Sequence, residues 1–132
     1  MSGSDRPSGG RAGDPPPQAA VLRPIRKKAD FQALRGAARR GTASFLLVRR
    51  RREDGDPAIG VGFAVTKKLG KAVLRNRIRR RLREACRRVM PVHGEPGCDY
   101  LLVARAGAAT RPWARLLDDL KRALLSHARA ST

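Results

Sequence analysis

The sequence predicts an α+β fold, and two observations support that prediction. Apolar residues recur with a period of two in some segments and at helical spacing in others, and the two kinds of segment interleave along the chain. The predicted order is helix, strand, strand, helix, strand, helix. With 132 residues, 41% of them hydrophobic, the chain is long enough for one small core. We therefore expect a single domain with helices covering one face of a small sheet.

The first helix and the first strand are predicted close to the start of this domain. Residues 28–36 favour a helix, because Phe31 and Leu34 fall on one face and Gly36 stands where a C-terminal cap belongs. The next segment, Ala43–Arg50, predicts a strand: a short apolar run is followed at once by charge.

A turn and a second strand are predicted next. Residues 53–57 (EDGDP) have the composition of a turn. In Ala58–Thr66, large apolar side chains alternate with Gly60, Gly62 and Ala64, which is the period of a strand. Because the second face of this strand carries only small residues, we expect another backbone or a partner to approach it closely.

Residues 71–90 give the strongest helix prediction. An apolar stripe recurs there at helical spacing and would pack against the sheet. Its members are Leu74, Ile78, Leu82, Ala85, Cys86 and Val89. Gly70 stands just before this helix, and Pro91 stands just after its expected end.

The remaining segment predicts one more strand and one more helix. Tyr100–Ala104 is a short apolar run typical of a strand. Thr110 is the expected N-cap of the last helix, with Pro112 tolerated in its first turn. The apolar stripe of that helix comprises Trp113, Leu116, Leu117, Leu120 and Leu124.

The N-terminal segment differs in composition from everything after it. Residues 1–20 are rich in Gly, Pro and Ser and nearly free of large apolar groups, so they cannot bury enough surface to offset the entropy of ordering. We predict a disordered tail over residues 1–20 and one folded domain over residues 21–129.

Charge indicates the class of partner. Lys and Arg number 30 against 11 Asp and Glu, and the net charge is +19. Residues 61–90 hold 11 of the basic residues and only one acid, Glu84. A solvated face normally mixes both signs, so this segment predicts a polyanionic partner. Nucleic acid is the commonest polyanion, and an anionic membrane surface is the alternative.

Several other classes of protein have little support in the sequence. No apolar run approaches the ~20 residues of a membrane span, and no secretory signal stands at the N-terminus. Cys86 and Cys98 are too few for a disulfide scaffold and form no metal-binding pattern, which fits a reducing cytoplasm. His93 and His127 are isolated, and we expect both to be solvated.

The basic helix has the residue types that bind RNA. Arg75, Arg79 and Arg83 recur every four residues and would form one ridge, and guanidinium groups bind phosphate bidentately. Asn76 is neutral and suits a base edge, a 2′-hydroxyl or a backbone group. The charge extends to further cations on the helix and in the loop before it: Lys67, Lys68, Lys71, Arg77, Arg80 and Arg81. The alternatives are a solvated helix face and a membrane-surface or calmodulin-type helix.

The run KKLGKAVLRNRIRRRLREACR, beginning at Lys67, resembles the signature of the bacterial ribonuclease P protein family. Its centre is the triplet Arg75–Arg77. Three further segments are similar to the family: Asp30–Gln32, the strand that ends in VGFAVTKK, and the run YLLVAR from Tyr100. The resemblance covers roughly residues 22–126.

The resemblance implies a fold and a function. The fold is a sheet of about four strands with three helices and a left-handed crossover, as in the second domain of a small-subunit ribosomal protein. The fourth strand would come from a split of Ala43–Thr66 or from a short pairing near Val21–Ile25. The function is that of the protein subunit of an endoribonuclease that removes the 5′ leader of precursor tRNA.

The resemblance also implies how the work is divided between protein and RNA. The catalytic centre and its Mg²⁺ ions belong to the ribonuclease P RNA, and the protein supplies no catalytic residue and no metal site. One protein would bind one RNA in the cytoplasm. The signature helix and its loop would contact that RNA, and a cleft with Phe31, Arg35 and Phe45 would hold the single-stranded leader. For Phe31 and Phe45 the alternative is packing in the core. Arg35 and Val48 stand where the family often has aromatic residues.

Two other functions are compatible with the residues alone. One is an RNA-binding protein of ribosomal or chaperone type without a processing role. The other is a small DNA-binding protein, although neither helix-turn-helix spacing nor a dimerisation zipper is evident.

Overall fold

The computed structural model describes residues 21–130, with side chains as far as residue 129. The tail predicted over residues 1–20 lies outside this range. The elements in chain order are β1 (Leu22–Pro24), α1 (Lys28–Ala33), β2 (Ala38–Gly41), β3 (Phe45–Arg51), β4 (Ile59–Ala64), α2 (Ala72–His93), β5 (Cys98–Ala104) and α3 (Trp113–Ala130). Short 3-10 helices at Lys67–Leu69 and Ala106–Ala109 precede α2 and α3.

The strands form one mixed sheet in the order β1-β4-β5-β3-β2. Strand β4 pairs in parallel with both β1 and β5, whereas β3 pairs antiparallel with β5 and β2. The α+β class with three helices is therefore confirmed. Because β4 and β5 are parallel neighbours, α2 is the crossover between them. The left hand of that crossover stays a prediction from the resemblance.

The sheet has five strands rather than about four. The short pairing near Val21–Ile25 is present as β1. Strand β2 was not predicted, because this edge strand is the polar run ARRG and shows no apolar alternation. Its pairing with β3 supplies the order that side-chain burial does not.

The two faces of the sheet carry different helices. One face packs against α2 and α3, and its contacts form a continuous core with Phe45, Leu47, Ile59, Tyr100 and Leu102 fully or almost fully buried. The opposite face takes α1. The register puts Gly60 and Gly62 on that second face, opposite Asp99 and Leu101 of β5.

The small residues of β4 are approached closely by side chains, those of Phe31 and Asp99, rather than by another backbone. A Cβ at Gly62 would stand 3.0 Å from the ring of Phe31, so this glycine lets α1 lie against the sheet. A Cβ at Gly60 would stand 2.0 Å from Oδ1 of Asp99, so this position excludes any side chain while Asp99 keeps its place.

Helix α2 buries the predicted apolar stripe but is longer than predicted. Ile78, Leu82 and Cys86 are buried against the sheet. The expectation that the helix ends before Pro91 is wrong: it continues to His93. Proline removes one backbone hydrogen bond, and the cost is small in a last turn that ends two residues later.

Two predictions about α3 are also wrong. Thr110 is not its N-cap. Its N–H bonds to the Gly107 carbonyl and closes the preceding 3-10 turn, while the carbonyl of Pro112 accepts the bond from Leu116. His127 is not solvated but fully buried, and its Nε2 lies 2.9 Å from the carbonyl oxygen of Leu47. Burial lowers the pKa of His127, so the neutral ring donates to that carbonyl.

A buried ion-pair cluster closes the end of the sheet where β5 begins. Asp99 binds Arg50 and Arg52 at 2.8 Å each. Burial by itself would lower the pKa of Arg52, but the hydrogen bonds to Asp99 and Asp54 outweigh it and raise that pKa. The guanidinium of Arg52 also donates to three backbone carbonyls, those of Asp56, Ala58 and Cys98. This one side chain thus joins the ends of β3, β4 and β5.

Candidate nucleic-acid interface

The turn between β4 and α2 directs the basic residues outward. Gly70 has a φ of 140°, which favours glycine, and a Cβ there would come within 2.8 Å of the Leu74 side chain. The backbone turns at this point from the 3-10 helix into α2, whose first internal bond runs from Arg75 N–H to the Lys71 carbonyl. Lys67, Lys68 and Lys71 are exposed around this turn.

The Arg-Asn-Arg triplet and the ridge beyond it are held by local contacts. Nε of Arg75 donates to the Gly70 carbonyl at 3.1 Å, which fixes the arginine against the turn. Oδ1 of Asn76 accepts from Arg79 at 3.1 Å, so the amide holds one member of the ridge in place. Arg77 is exposed. These contacts use one donor of Arg75 and one of Arg79, and each guanidinium carries five.

The predicted RNA-binding residues share one property that the sequence only suggested. We call these nine residues the signature surface: Lys67, Lys68, Lys71, Arg75, Asn76, Arg77, Arg79, Arg80 and Arg83. None of its eight cations has an ion pair with any residue in the described part of the chain. Val73 lies among them with 82% of its surface exposed. The surface is therefore a concentration of uncompensated positive charge with an apolar spot at its centre.

A shallow hollow lies in the middle of this surface. Its volume is about 520 Å³, and its walls are Val73, Asn76, Arg79, Arg80 and Arg83. A concave basic site with an apolar floor suits a sugar-phosphate backbone with its cations on the phosphates.

Arg81 departs from its neighbours on α2. From the sequence, we expected Arg81 to extend the exposed charge. Instead it is half-buried and turned back into the protein, where it donates to the carbonyls of Ala108 and Arg111. It and Arg88 also lie about 5.9 and 5.8 Å from the ring centre of Trp113. Arg81 therefore links α2 to the start of α3. In the sequence, only the position of Arg81 on the side of α2 that faces α3 could have indicated this inward turn.

The predicted leader cleft is only partly assembled. Phe31 is half-buried on α1, and Arg35 is exposed just beyond the end of that helix, so both border the α1 face of the sheet. The prediction that Phe45 lines this cleft is wrong. It is 0% exposed and belongs to the core on the opposite face, so its ring has no surface to offer a base. The alternation of β3 places Phe45 and Leu47 inward toward α2 and α3.

Several titratable groups outside the signature surface are buried in the core. Among residues 21–130, no three His, Cys, Asp or Glu side chains come together as a metal site would require. Cys86 and Cys98 are free and buried, and burial raises the pKa of both thiols. Burial also raises the pKa of Tyr100 to about 12. No helix in the described part of the chain is both long and apolar enough to cross a membrane.

A mixed sheet whose crossover helix carries a group of cations without ion pairs in the described part of the chain is typical of an RNA-binding protein of the α+β class. The family model described as Ribonuclease P matches residues 21–128. The chain belongs to the ribonuclease P protein family.

Relatives of known name agree with this assignment. The ribonuclease P protein component of Caulobacter vibrioides is 50% identical over 102 residues, which cover 77% of this chain and 68% of the relative. That of Ruegeria pomeroyi is 49% identical over 102 residues, covering 76% and 82%.

Solved structures show the same fold. The Staphylococcus aureus RNase P protein superposes with a TM-score of 0.66 at 30% identity, covering 79% of this chain and 94% of that one. The protein from Thermotoga maritima gives 0.64 at 23% identity, covering 76% and 96%, and supports the fold alone.

Proposed function

We propose that this ribonuclease P protein, a component of an RNA-processing ribonucleoprotein, binds ribonuclease P RNA through the signature surface and assists removal of the 5′ leader from precursor tRNA. The observation that carries the proposal is the set of eight cations on α2 and the loop before it that have no ion pair with any described residue. Each phosphate contact made there would release counterions from the RNA.

In this proposal the RNA carries the chemistry. The ribonuclease P RNA supplies the catalytic centre and holds the Mg²⁺ ions, and the protein contributes positioning and charge neutralisation. One protein serves one RNA, in the cytoplasm. The side chains of the signature surface are cations and one amide, which suit phosphate binding rather than proton transfer at neutral pH.

The α1 face of the sheet is the proposed place for the leader. Phe31 offers part of its ring, and Arg35 offers a guanidinium that stacks on a base or pairs with a phosphate. With Phe45 in the core and aliphatic Val48 buried on this face, the cleft has fewer stacking groups than the family pattern implies. We therefore expect leader binding to depend on charge more than on stacking.

The direct test is a cleavage assay. The purified chain is added to ribonuclease P RNA with a precursor tRNA at low Mg²⁺. We expect faster removal of the leader. An RNA-binding protein without a processing role would bind and leave the cleavage rate unchanged, and that result would defeat the proposal.

The signature surface is tested by Arg75→Ala with Arg77→Ala. We expect weaker assembly with ribonuclease P RNA, a shallower dependence of affinity on salt, and nearly unchanged folding. The matched control is Arg122→Ala, an exposed arginine on α3. An unfolded double variant, or an unchanged salt slope, contradicts the assignment.

The leader cleft is tested with substrates of different leader length. Arg35→Gln should weaken binding of a precursor with a leader of several nucleotides and should leave binding of mature tRNA unchanged. Equal effects on both substrates would place Arg35 outside the leader path.

A further inference from the structure

A groove between β1 and α2 shares only Arg83 with the signature surface and lies apart from the proposed leader cleft. It has a volume of about 540 Å³, which is within the range of small-ligand sites. Its floor is apolar and includes Leu22, Val61 and the partly exposed Phe63. All three lie on the sheet face that α2 covers, so the groove lies across the sheet from Phe31 and the leader cleft.

Cations surround this apolar floor. Arg23 stands on the β1 side, and Arg83 and Arg87 stand on the α2 side. None of the described residues that line the groove is acidic. Arg23 and Arg87 each have an acidic neighbour, Asp56 and Glu84, but Arg83 has no ion pair among the described residues. An aromatic floor with a cationic rim has the chemistry of a nucleotide site, with the base on the ring and the phosphate on the rim.

The groove is continuous with the signature surface. Arg83 lines both the groove and the hollow that contains Val73 and Asn76. An RNA strand that lies along the signature surface therefore reaches the groove at Arg83, and no acidic residue of the described part of the chain lines the hollow or the groove. This continuity favours RNA over an apolar metabolite or a second protein as the occupant.

We propose that the β1–α2 groove takes one unpaired nucleotide of ribonuclease P RNA. Its base stacks on Phe63, and its phosphate is held by Arg83 and Arg87. The inference rests on the proposed binding of RNA by the signature surface and extends it, since a stacked base requires a single-stranded nucleotide and not only duplex backbone. Stacking on Phe63 tolerates any base, because every base has a π-face.

The experiment compares Phe63→Leu with Trp113→Leu in the full chain. Both residues are partly buried aromatics packed against the core, and both lie beside arginines of α2. Affinity for ribonuclease P RNA is measured at several salt concentrations, and chemical probing reports which unpaired nucleotides the protein protects. Thermal unfolding of each variant shows whether the fold survives.

We expect Phe63→Leu to weaken RNA binding about tenfold, with the salt slope unchanged because no charge is lost. One unpaired nucleotide should lose its protection. Trp113→Leu should leave both affinity and protection as they are. A second variant, Arg23→Gln with Arg87→Gln, changes only exposed rim residues. It should reduce protection of that same nucleotide even if Phe63→Leu unfolds the protein.

Unchanged affinity and protection in the Phe63 and rim variants would overturn the groove assignment. If Arg75→Ala with Arg77→Ala still weakened binding, the proposed function would stand without it. If those arginine changes also had no effect, the proposed function itself would fall. A groove that instead holds a second copy of the chain would appear as a changed oligomeric state with RNA affinity unaltered, which also overturns the inference.

Discussion

The arginines of β3 and those of α2 are both dense basic runs, yet the structure uses them differently. Arg49–Arg52 is an unbroken run of four arginines, and every one of them forms an ion pair. None of the eight cations of the signature surface forms an ion pair with a residue in the described part of the chain. The acids that neutralise the first group, chiefly Glu95 and Asp99, come from more than forty residues away.

This difference in ion pairing separates arginines that stabilise the fold from arginines that remain available to bind a partner. Arg52 is 5% exposed, and its hydrogen bonds use its donors on Asp54, Asp99 and three backbone carbonyls. Such a side chain has no N–H donor left to bind RNA. The chain has few acids, and it places several of them where strands end. The positive charge of α2 thereby remains available to an external polyanion.

The largest expected effect is on the buried member of the β3 group. Arg52→Met leaves Asp99 with one guanidinium fewer and leaves three carbonyls without their donor. We expect the free energy of unfolding to fall by about 3–5 kcal/mol, as for other broken buried ion pairs. Urea denaturation at neutral pH measures it. Arg51→Met, whose side chain is more than half exposed, should cost less than about 1 kcal/mol. Similar losses in both variants would erase the distinction within β3.

The next effect concerns the signature surface. Replacing Arg77, Arg79 and Arg80 with Gln removes three cations that have no ion pair among residues 21–129. We expect affinity for ribonuclease P RNA to fall about 100-fold at 0.1 M salt, and the slope of log affinity against log salt to decrease by about two to three. The free energy of unfolding should stay level or rise slightly, because like charges repel along a helix. A marked loss of stability would show that these arginines hold the fold as those of β3 do.

Adjacent residues on α2 allow a closer test. Arg81→Gln removes the bonds to the carbonyls of Ala108 and Arg111, and we expect it to destabilise the fold by about 1–3 kcal/mol with an unchanged salt slope. Arg80→Gln should do the reverse, lowering RNA affinity with stability intact. The two variants are compared by thermal unfolding and by RNA titration. An effect of Arg81→Gln on the salt slope would place that arginine on the RNA surface after all.

The smallest expected effect is a pH dependence from His127. Burial, with the positive charges of Arg49 and Arg40, lowers the pKa of this histidine below its ordinary value. The unfolded chain therefore takes up a proton before the folded one does. Stability should fall as the pH drops below about 6.5, by less than about 1 kcal/mol between pH 7 and pH 5.5. His127→Gln should remove this slope in unfolding experiments. A slope that persists would assign the proton uptake to another group.

Much of the fold was predictable because its signals are local. The apolar stripe of α2 and the alternation of β4 follow from one residue after another, and both are present as expected. Strand β2 was missed since its polar residues carry no periodic signal and are ordered only by pairing with β3. Pro91 misled for a related reason: its cost depends on where the helix ends, and the tertiary fold sets that point.

The candidate site divides in the same way. The density of cations without nearby acids marked the signature surface, and that density is a property of the sequence itself. The inward position of Phe45 and the inward turn of Arg81 are not, because each depends on which face of an element meets another element.

The sequence by itself determined the fold class, the basic helix with its apolar stripe, and the family to which the chain is similar. These follow from composition, period and motif, which need no knowledge of distant contacts. Only the tertiary structure decided which arginines are neutralised, which aromatics reach the surface and that His127 is buried. The physical reason is that ion pairs and burial depend on distances between residues far apart in the chain, and folding alone sets those distances.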